Sequence, residues 1–162
     1  MDKEKREPDI SLLARRRIEA AVLADVYAVL VGRLGREAAL AVIEETVARA
    51  AREAGQAFAA SAPEGPSLGH FAAVAGLWRQ GGALAMANER QEADRLTFDV
   101  VRCRYAEAYR EMGLPDELAT RLSCLRDHAF VAGYSPKLHL DRPATIASGA
   151  THCPFTFTWE DA

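Results

Sequence analysis

No apolar run in this chain of 162 residues approaches the roughly 20 residues that a membrane-spanning helix needs. No membrane partner is therefore expected. A basic excess is lacking too. Lys and Arg number 20 against 23 Asp and Glu, for a formal net charge of -3, so the electrostatic footprint of a nucleic-acid-binding domain is missing. Cysteine is scarce and odd in number, three in all. In an intracellular chain that argues for free thiols over a disulfide framework, with core packing, metal ligation or nucleophilic chemistry as their roles. The N-terminus, Met1-Asp2-Lys3-Glu4-Lys5-Arg6-Glu7, alternates in charge without the apolar centre of a signal peptide, which predicts a cytoplasmic protein. Internal repeats and long low-complexity segments are absent.

What is present is ordinary for a globular domain. The chain is 49% hydrophobic and 27% charged, long enough for one domain with a real core. Residues 1–10 read as a frayed tail and 11–162 as a single domain. A helix is predicted from Ser11, with Leu23, Val26, Tyr27, Leu30, Val31 and Leu34 on one stripe and Gly35 as its break. A second helix carries Leu40, Ile43, Val47 and Ala50, with Gly55 as its stop. These apolar stripes could exceed what one small core covers, which raises the expectation of a homo-oligomer. The Arg15-Arg16-Arg17 triplet, close to Glu19, reads as a polar helix face, not a phosphate site.

The segment 61–66 is a loop by composition. Ser67 is placed to cap a third helix carrying Leu68, Phe71, Ala75 and Trp78, ended by Gly81-Gly82. Strands are then predicted at 83–88 and 96–102, the second alternating Leu96, Phe98 and Val100 with Thr97 and Asp99. Helices follow from Tyr105 to Met112 and from Pro115 toward Cys124. Gly133 to Pro136 reads as a turn. Two final strands, 137 to about 148 and 153–159, form a hairpin with Gly149 at the connecting turn. The expected fold class is α+β: a helical N-terminal half, then a small antiparallel sheet with interposed helices.

Candidate chemistry concentrates near the C-terminus. Cys124, Arg126 and Asp127 fall within four residues at the end of a predicted helix. A nearby cation such as Arg126 would activate the Cys124 thiol. A guanidinium also grips a carboxylate through parallel hydrogen bonds, and a carboxylate can move protons. Equally, Cys124 is a small buried hydrophobe and Arg126-Asp127 a surface pair or cap. Cys103, Cys124, His152 and Cys153 supply four potential metal ligands, but no pair has C-x2-C spacing, and adjacent residues of a strand point to opposite faces. No metal is therefore assigned. His128 and His139 are weak signals alone, and His139 belongs on an exposed strand face. His70 packs or faces solvent. Tyr105 and Glu107, close behind Cys103, read as a packed ring and a solvated acid, or as groups that a helix presents to a site.

The ordered segments Cys103-Arg104-Tyr105-Ala106-Glu107, Ser123-Cys124-Leu125-Arg126-Asp127, Gly133-Tyr134-Ser135-Pro136, Leu140-Asp141-Arg142-Pro143 and Gly149-Ala150-Thr151-His152-Cys153-Pro154-Phe155 resemble the L-2-amino-thiazoline-4-carboxylic acid hydrolase family over roughly residues 98–159. The resemblance implies a bacterial hydrolase that opens a small cyclic isothiourea bearing a carboxylate. The expected partner is a small-molecule substrate, with no cofactor. The implied catalytic groups are Cys124, Asp127 and His152, with His128 as another proton donor. Arg126, Arg142, Cys103, Tyr105 and Cys153 are the implied substrate contacts. Direct attack by water with Asp127 as base fits equally well. The chain departs from the family's tendency toward Cys-Asp-Phe-Arg-Tyr by reading Cys153-Pro154-Phe155-Thr156-Phe157, and by Pro143 where the family favours Thr. If the replaced pair touches substrate, the substrate differs here or activity is lost. A more distant likeness is to ligand-binding domains of the 4-vinyl reductase type, which implies a non-catalytic sensor module instead.

Overall fold

A computed structural model describes residues 9–161. The frayed tail expected at residues 1–10 lies mostly outside that range. Two long helices come first, α1 (Leu12–Leu34) and α2 (Arg36–Ala60). Ser11 caps α1 by accepting the Ala14 amide at 3.2 Å. Gly35 separates the two with φ +84°, a conformation that side-chain-bearing residues rarely adopt.

The third predicted helix is two short ones, α3 (Leu68–Phe71) and α4 (Val74–Trp78). Ser67 does cap α3, accepting the His70 amide at 3.1 Å. Then come β1 (Leu84–Gln91), β2 (Arg95–Cys103), α5 (Arg104–Glu111), α6 (Asp116–Leu122), α7 (Cys124–Tyr134), β3 (Leu138–Asp141) and β4 (Cys153–Trp159). The four strands form one antiparallel sheet in the order β1-β2-β4-β3. The fold is the α+β arrangement that the sequence pattern predicts. Among the described residues no helix is long and apolar enough to cross a membrane.

One face of the sheet forms the main core. Leu96, Phe98 and Val100 of β2 lie opposite Phe157, Phe155 and Cys153 of β4, and all six are buried. Phe71 and Trp78 pack their rings on Phe157, and Trp78 also meets Phe155. A second cluster joins Tyr27, Leu40, Ile43 and Val47 to Tyr109, Leu118 and Leu122. Helix α1 buries Tyr27, but Val26 and Leu34 of the expected stripe stay exposed. Ile18, Val22 and Val29 are more than half exposed. On α2 the inward position is Ala51, not Ala50, because the repeat is 3.6 residues and the stripe drifts.

Several boundaries differ from the sequence expectation, each for a physical reason. Gly55 does not stop α2, and Gly133 does not start a turn; both are inside helices. A Cβ on Gly55 would collide with the Phe130 carbonyl oxygen, and one on Gly133 with the Arg52 carbonyl oxygen. Helices α2 and α7 thus cross backbone to backbone, and glycine is what lets them touch. Cys124 opens α7 and does not end the preceding helix. Strand β3 ends at Asp141, and the chain reaches β4 through a 3-10 turn at Ile146–Ser148. Gly149 ends that turn in the left-handed region, φ +97°.

Tyr134 ties α7 to the start of α3. Its hydroxyl accepts the Ser67 amide at 3.1 Å and donates to the Ser67 carbonyl at 2.9 Å. His70, half-buried, stacks on Tyr134 and lies 2.9 Å from the same hydroxyl through Nδ1. Tyr134→Phe is expected to lower stability by about 1–2 kcal/mol, because the Ser67 groups lose a partner. Equilibrium urea unfolding measures it, and an unchanged midpoint would contradict this role.

Candidate functional site

A cavity of about 510 Å³ opens between α1, α2, α4, α7 and the inner face of the sheet. That is the size of ordinary small-molecule sites. Cys103, Tyr105, Cys124, Arg126, Asp127, Arg142 and Cys153 all line it. Seven of the eight residues singled out as catalytic or substrate-binding therefore meet in one place. The exception is His152, which is exposed at the edge of β4 with Thr151 Oγ1 3.0 Å from its Nδ1. His128 is also exposed and outside the lining.

The local structure explains the convergence. Cys124 and Asp127 sit on the first turn of α7, with Arg126 between them on the sequence. Cys153 begins β4 on its buried face. Cys103 reaches the same face through a β-bulge. Ala85 pairs with Arg102 and Met86 with Val100, so Val101 is the extra residue. Strict alternation from Phe98 and Val100 would have turned Cys103 outward; the bulge reverses its parity. The three cysteines also line a small adjoining pocket of about 40 Å³ beside Ile146.

The charged centre is the pair Asp127–Arg142. Arg142 Nη1 donates to Asp127 Oδ2, and Nη2 donates to the Cys124 carbonyl at 2.8 Å. The Arg142 guanidinium lies 5.2 Å from the centre of the Phe155 ring. Its side chain is only 6% exposed, and its Nε is a buried donor with no acceptor. Burial raises the Asp127 carboxyl to about 6, outweighing the opposing pull of Arg142. A carboxyl poised there takes or gives a proton near neutrality.

Arg126 is not the partner of Cys124. Its Nε donates to the Leu122 carbonyl at 2.7 Å and its Nη2 to Glu19 of α1 at 3.0 Å. Glu19 also receives Arg16 at 2.7 Å. Arg15 and Arg16 line the cavity as well, so the triplet that reads as a plain polar face contributes two guanidiniums to the site. Among the described residues Arg15 makes no ion pair. The signal was present in the sequence, but nothing in a charge run says which side faces a cavity.

None of the three thiols is ionised at neutral pH. Burial and the Asp127 carboxylate push Cys124 up to about 12. Burial pushes Cys103 to about 11 and raises Cys153. Two of them have structural tasks: Cys103 Sγ accepts the Ala106 amide at 3.5 Å, and Cys153 Sγ the Ile146 amide at 3.1 Å. Tyr105 donates its hydroxyl to the Trp78 carbonyl at 3.1 Å. Among the described residues no three His, Cys, Asp or Glu side chains are arranged to hold a metal ion. The native thiols are expected to react with a disulfide reagent at pH 7.5 at least tenfold more slowly than in the unfolded chain, because the thiolate is the reactive form. Stopped-flow labelling checks this, and equal rates would contradict the buried, protonated state.

The comparisons complete this picture. The family model described as "L-2-amino-thiazoline-4-carboxylic acid hydrolase" matches residues 15–157. The chain belongs to this family. Every cavity residue from Arg15 to Phe155 falls within the matched region. No curated protein matches the chain. Among solved structures it is similar to the crystal structure of the phenol-responsive sensory domain of the transcription activator PoxR with phenol. The TM-score is 0.50 at 13% identity, covering 91% of this chain and 76% of that one, a likeness of fold alone. The three residues singled out as departures from the resemblance, Pro143, Pro154 and Thr156, lie outside the cavity of this L-2-amino-thiazoline-4-carboxylic acid hydrolase family member. Pro154 and Thr156 alternate with the inward Cys153, Phe155 and Phe157, so they belong to the opposite sheet face. Pro143 is exposed.

Proposed function

We propose that the protein is a ring-opening hydrolase of a small cyclic amidine or thiazoline carboxylate, such as L-2-aminothiazoline-4-carboxylate, giving N-carbamoyl-L-cysteine. The observation that carries this reading is the Asp127–Arg142 pair lining a cavity of about 510 Å³ in a chain of this family. Asp127, raised to about 6 by burial, accepts a proton from water as the oxygen bonds to the carbon between sulfur and nitrogen. Asp127 passes that proton to the nitrogen whose double bond to this carbon has opened, giving a tetrahedral intermediate that bears a hydroxyl. As the carbon–sulfur bond breaks and the carbonyl forms, Asp127 takes the hydroxyl proton and hands it to the departing sulfur, which leaves as the product's thiol. Arg142 stabilises the ionised Asp127 through its Nη1 donor. Arg15, in the lining beside the Glu19-paired Arg16, adds positive charge that suits the substrate carboxylate.

The thiol state bears on the route. A nucleophilic Cys124 would have to lose its proton from about 12, whereas water needs only the base that is already there. The water route is therefore the one we propose, with Cys124 as a wall of the site. Incubation of the purified protein with L-2-aminothiazoline-4-carboxylate tests the function, by following new thiol and the mass of N-carbamoyl-cysteine. Absence of product from folded protein would remove the reading. The solved sensory domain favours a second reading, a non-catalytic binding module. It would show a ligand-dependent rise in melting temperature without product.

A further inference from the structure

The polar end of the cavity accounts for only part of it. Beyond Asp127 and Arg142 the lining turns apolar through Ala51, Val74, Leu77, Trp78, Phe130 and Phe155. The two ends are continuous: the Arg142 guanidinium lies over Phe155, whose ring is 6.1 Å from that of Trp78, itself 6.0 Å from Phe130. L-2-Aminothiazoline-4-carboxylate has nine non-hydrogen atoms, on the order of 150 Å³ at close-packed density. A cavity of about 510 Å³ would be less than one-third filled by it. The remainder includes the apolar end, where water finds few hydrogen-bonding partners and an apolar occupant is stabilised.

We propose that the substrate of this chain is a cyclic amidine or thiazoline carboxylate carrying an aromatic or branched apolar substituent, which the Trp78–Phe130–Phe155 end of the cavity receives. This rests on the hydrolase reading for the ring but not for the substituent. Leu77, 47% exposed, and Ala54, exposed and also in the lining, leave an apolar path by which such a group enters. The ring is then held at Asp127 and Arg142, and the substituent sets specificity through area buried and not through charge.

The experiment compares binding and turnover of two probes, L-2-aminothiazoline-4-carboxylate and the same ring with a benzyl group at carbon 5. Calorimetry on the full chain gives both dissociation constants, and mass spectrometry the products. The benzyl compound is expected to bind about 10- to 100-fold more tightly, the range that burying one aromatic side chain provides. In Ala54→Trp and Leu77→Asp the ratio should fall toward one, with melting curves reporting the fold. Equal or weaker binding of the benzyl compound to wild type overturns the proposal, whether or not either ring is opened. Tighter binding of the benzyl compound with no product from either probe supports the apolar subsite and overturns the hydrolase reading instead.

Discussion

Asp127→Asn is expected to lower the rate of ring opening by about 10²- to 10⁴-fold, the usual contribution of a positioned general base. Asparagine keeps an oxygen to accept from Arg142 Nη1, so the hydrogen-bond geometry can persist while the proton acceptor is gone. The same group sets a pH dependence. Wild-type kcat/KM should fall about tenfold per pH unit below the Asp127 value of about 6 and be level above it. The variant should lack that limb. Stability runs the other way. The carboxyl is raised in the folded state above its ordinary 3.8, so the native protein holds this proton more tightly than the unfolded chain. The contribution is fully present below about 3.8 and is lost as pH rises through about 6. Steady-state kinetics over this range, with circular dichroism as a check on folding, tests the assignment. A variant with wild-type kcat would contradict it.

Gly133→Ala is expected to destabilise the fold strongly for a single added methyl group. The new Cβ would overlap the Arg52 carbonyl of α2, and backbone cannot swing aside as a side-chain tip can. The helices must separate, which costs about 1–3 kcal/mol or more by overpacking, against a gain of about 1 kcal/mol in helix propensity. Separation also shifts α7, and Asp127 and Cys124 ride on its first turn. The expected result is a drop in melting temperature of several degrees together with weaker ligand binding. Gly55→Ala, which meets Phe130 from the other side, should behave alike. Gly32→Ala on α1, where nothing lies within 4 Å of the added Cβ, is the control and should be neutral or stabilising. Equal melting temperatures for the three would show that α2 and α7 do not touch as described.

The parts of this molecule that were legible in its sequence are those in which one side chain reports its own surroundings. Leu96, Phe98 and Val100 alternate with polar residues because the sheet has one wet face, and Cys153, Phe155 and Phe157 do the same on β4. Ser67 caps a helix because its hydroxyl can take an orphan amide. The grouping of Cys124, Asp127 and Arg142 followed from a family resemblance and not from spacing. What was illegible depends on two elements at once. A glycine within a helix can be a stop or a contact, and only α7 lying on α2 distinguishes them. Cys103 turns inward because Val101 bulges against β1, which no alternation of apolar residues in β2 reveals. Arg16 enters the site because Glu19 and Arg126 bridge α1 to α7. His152 lies outside the cavity for a local reason: its neighbour Cys153 takes the inward position, so the histidine stays at the surface.

The measurement that tests the account most directly is the pH dependence of kcat/KM for L-2-aminothiazoline-4-carboxylate between pH 4.5 and 8, for wild type and Asp127→Asn side by side. N-Carbamoyl-L-cysteine is identified by mass. The account predicts product from wild type, a rate that falls below about pH 6, and loss of both rate and limb in the variant. A folded wild-type protein that makes no product, or a variant that keeps the wild-type profile, would contradict it.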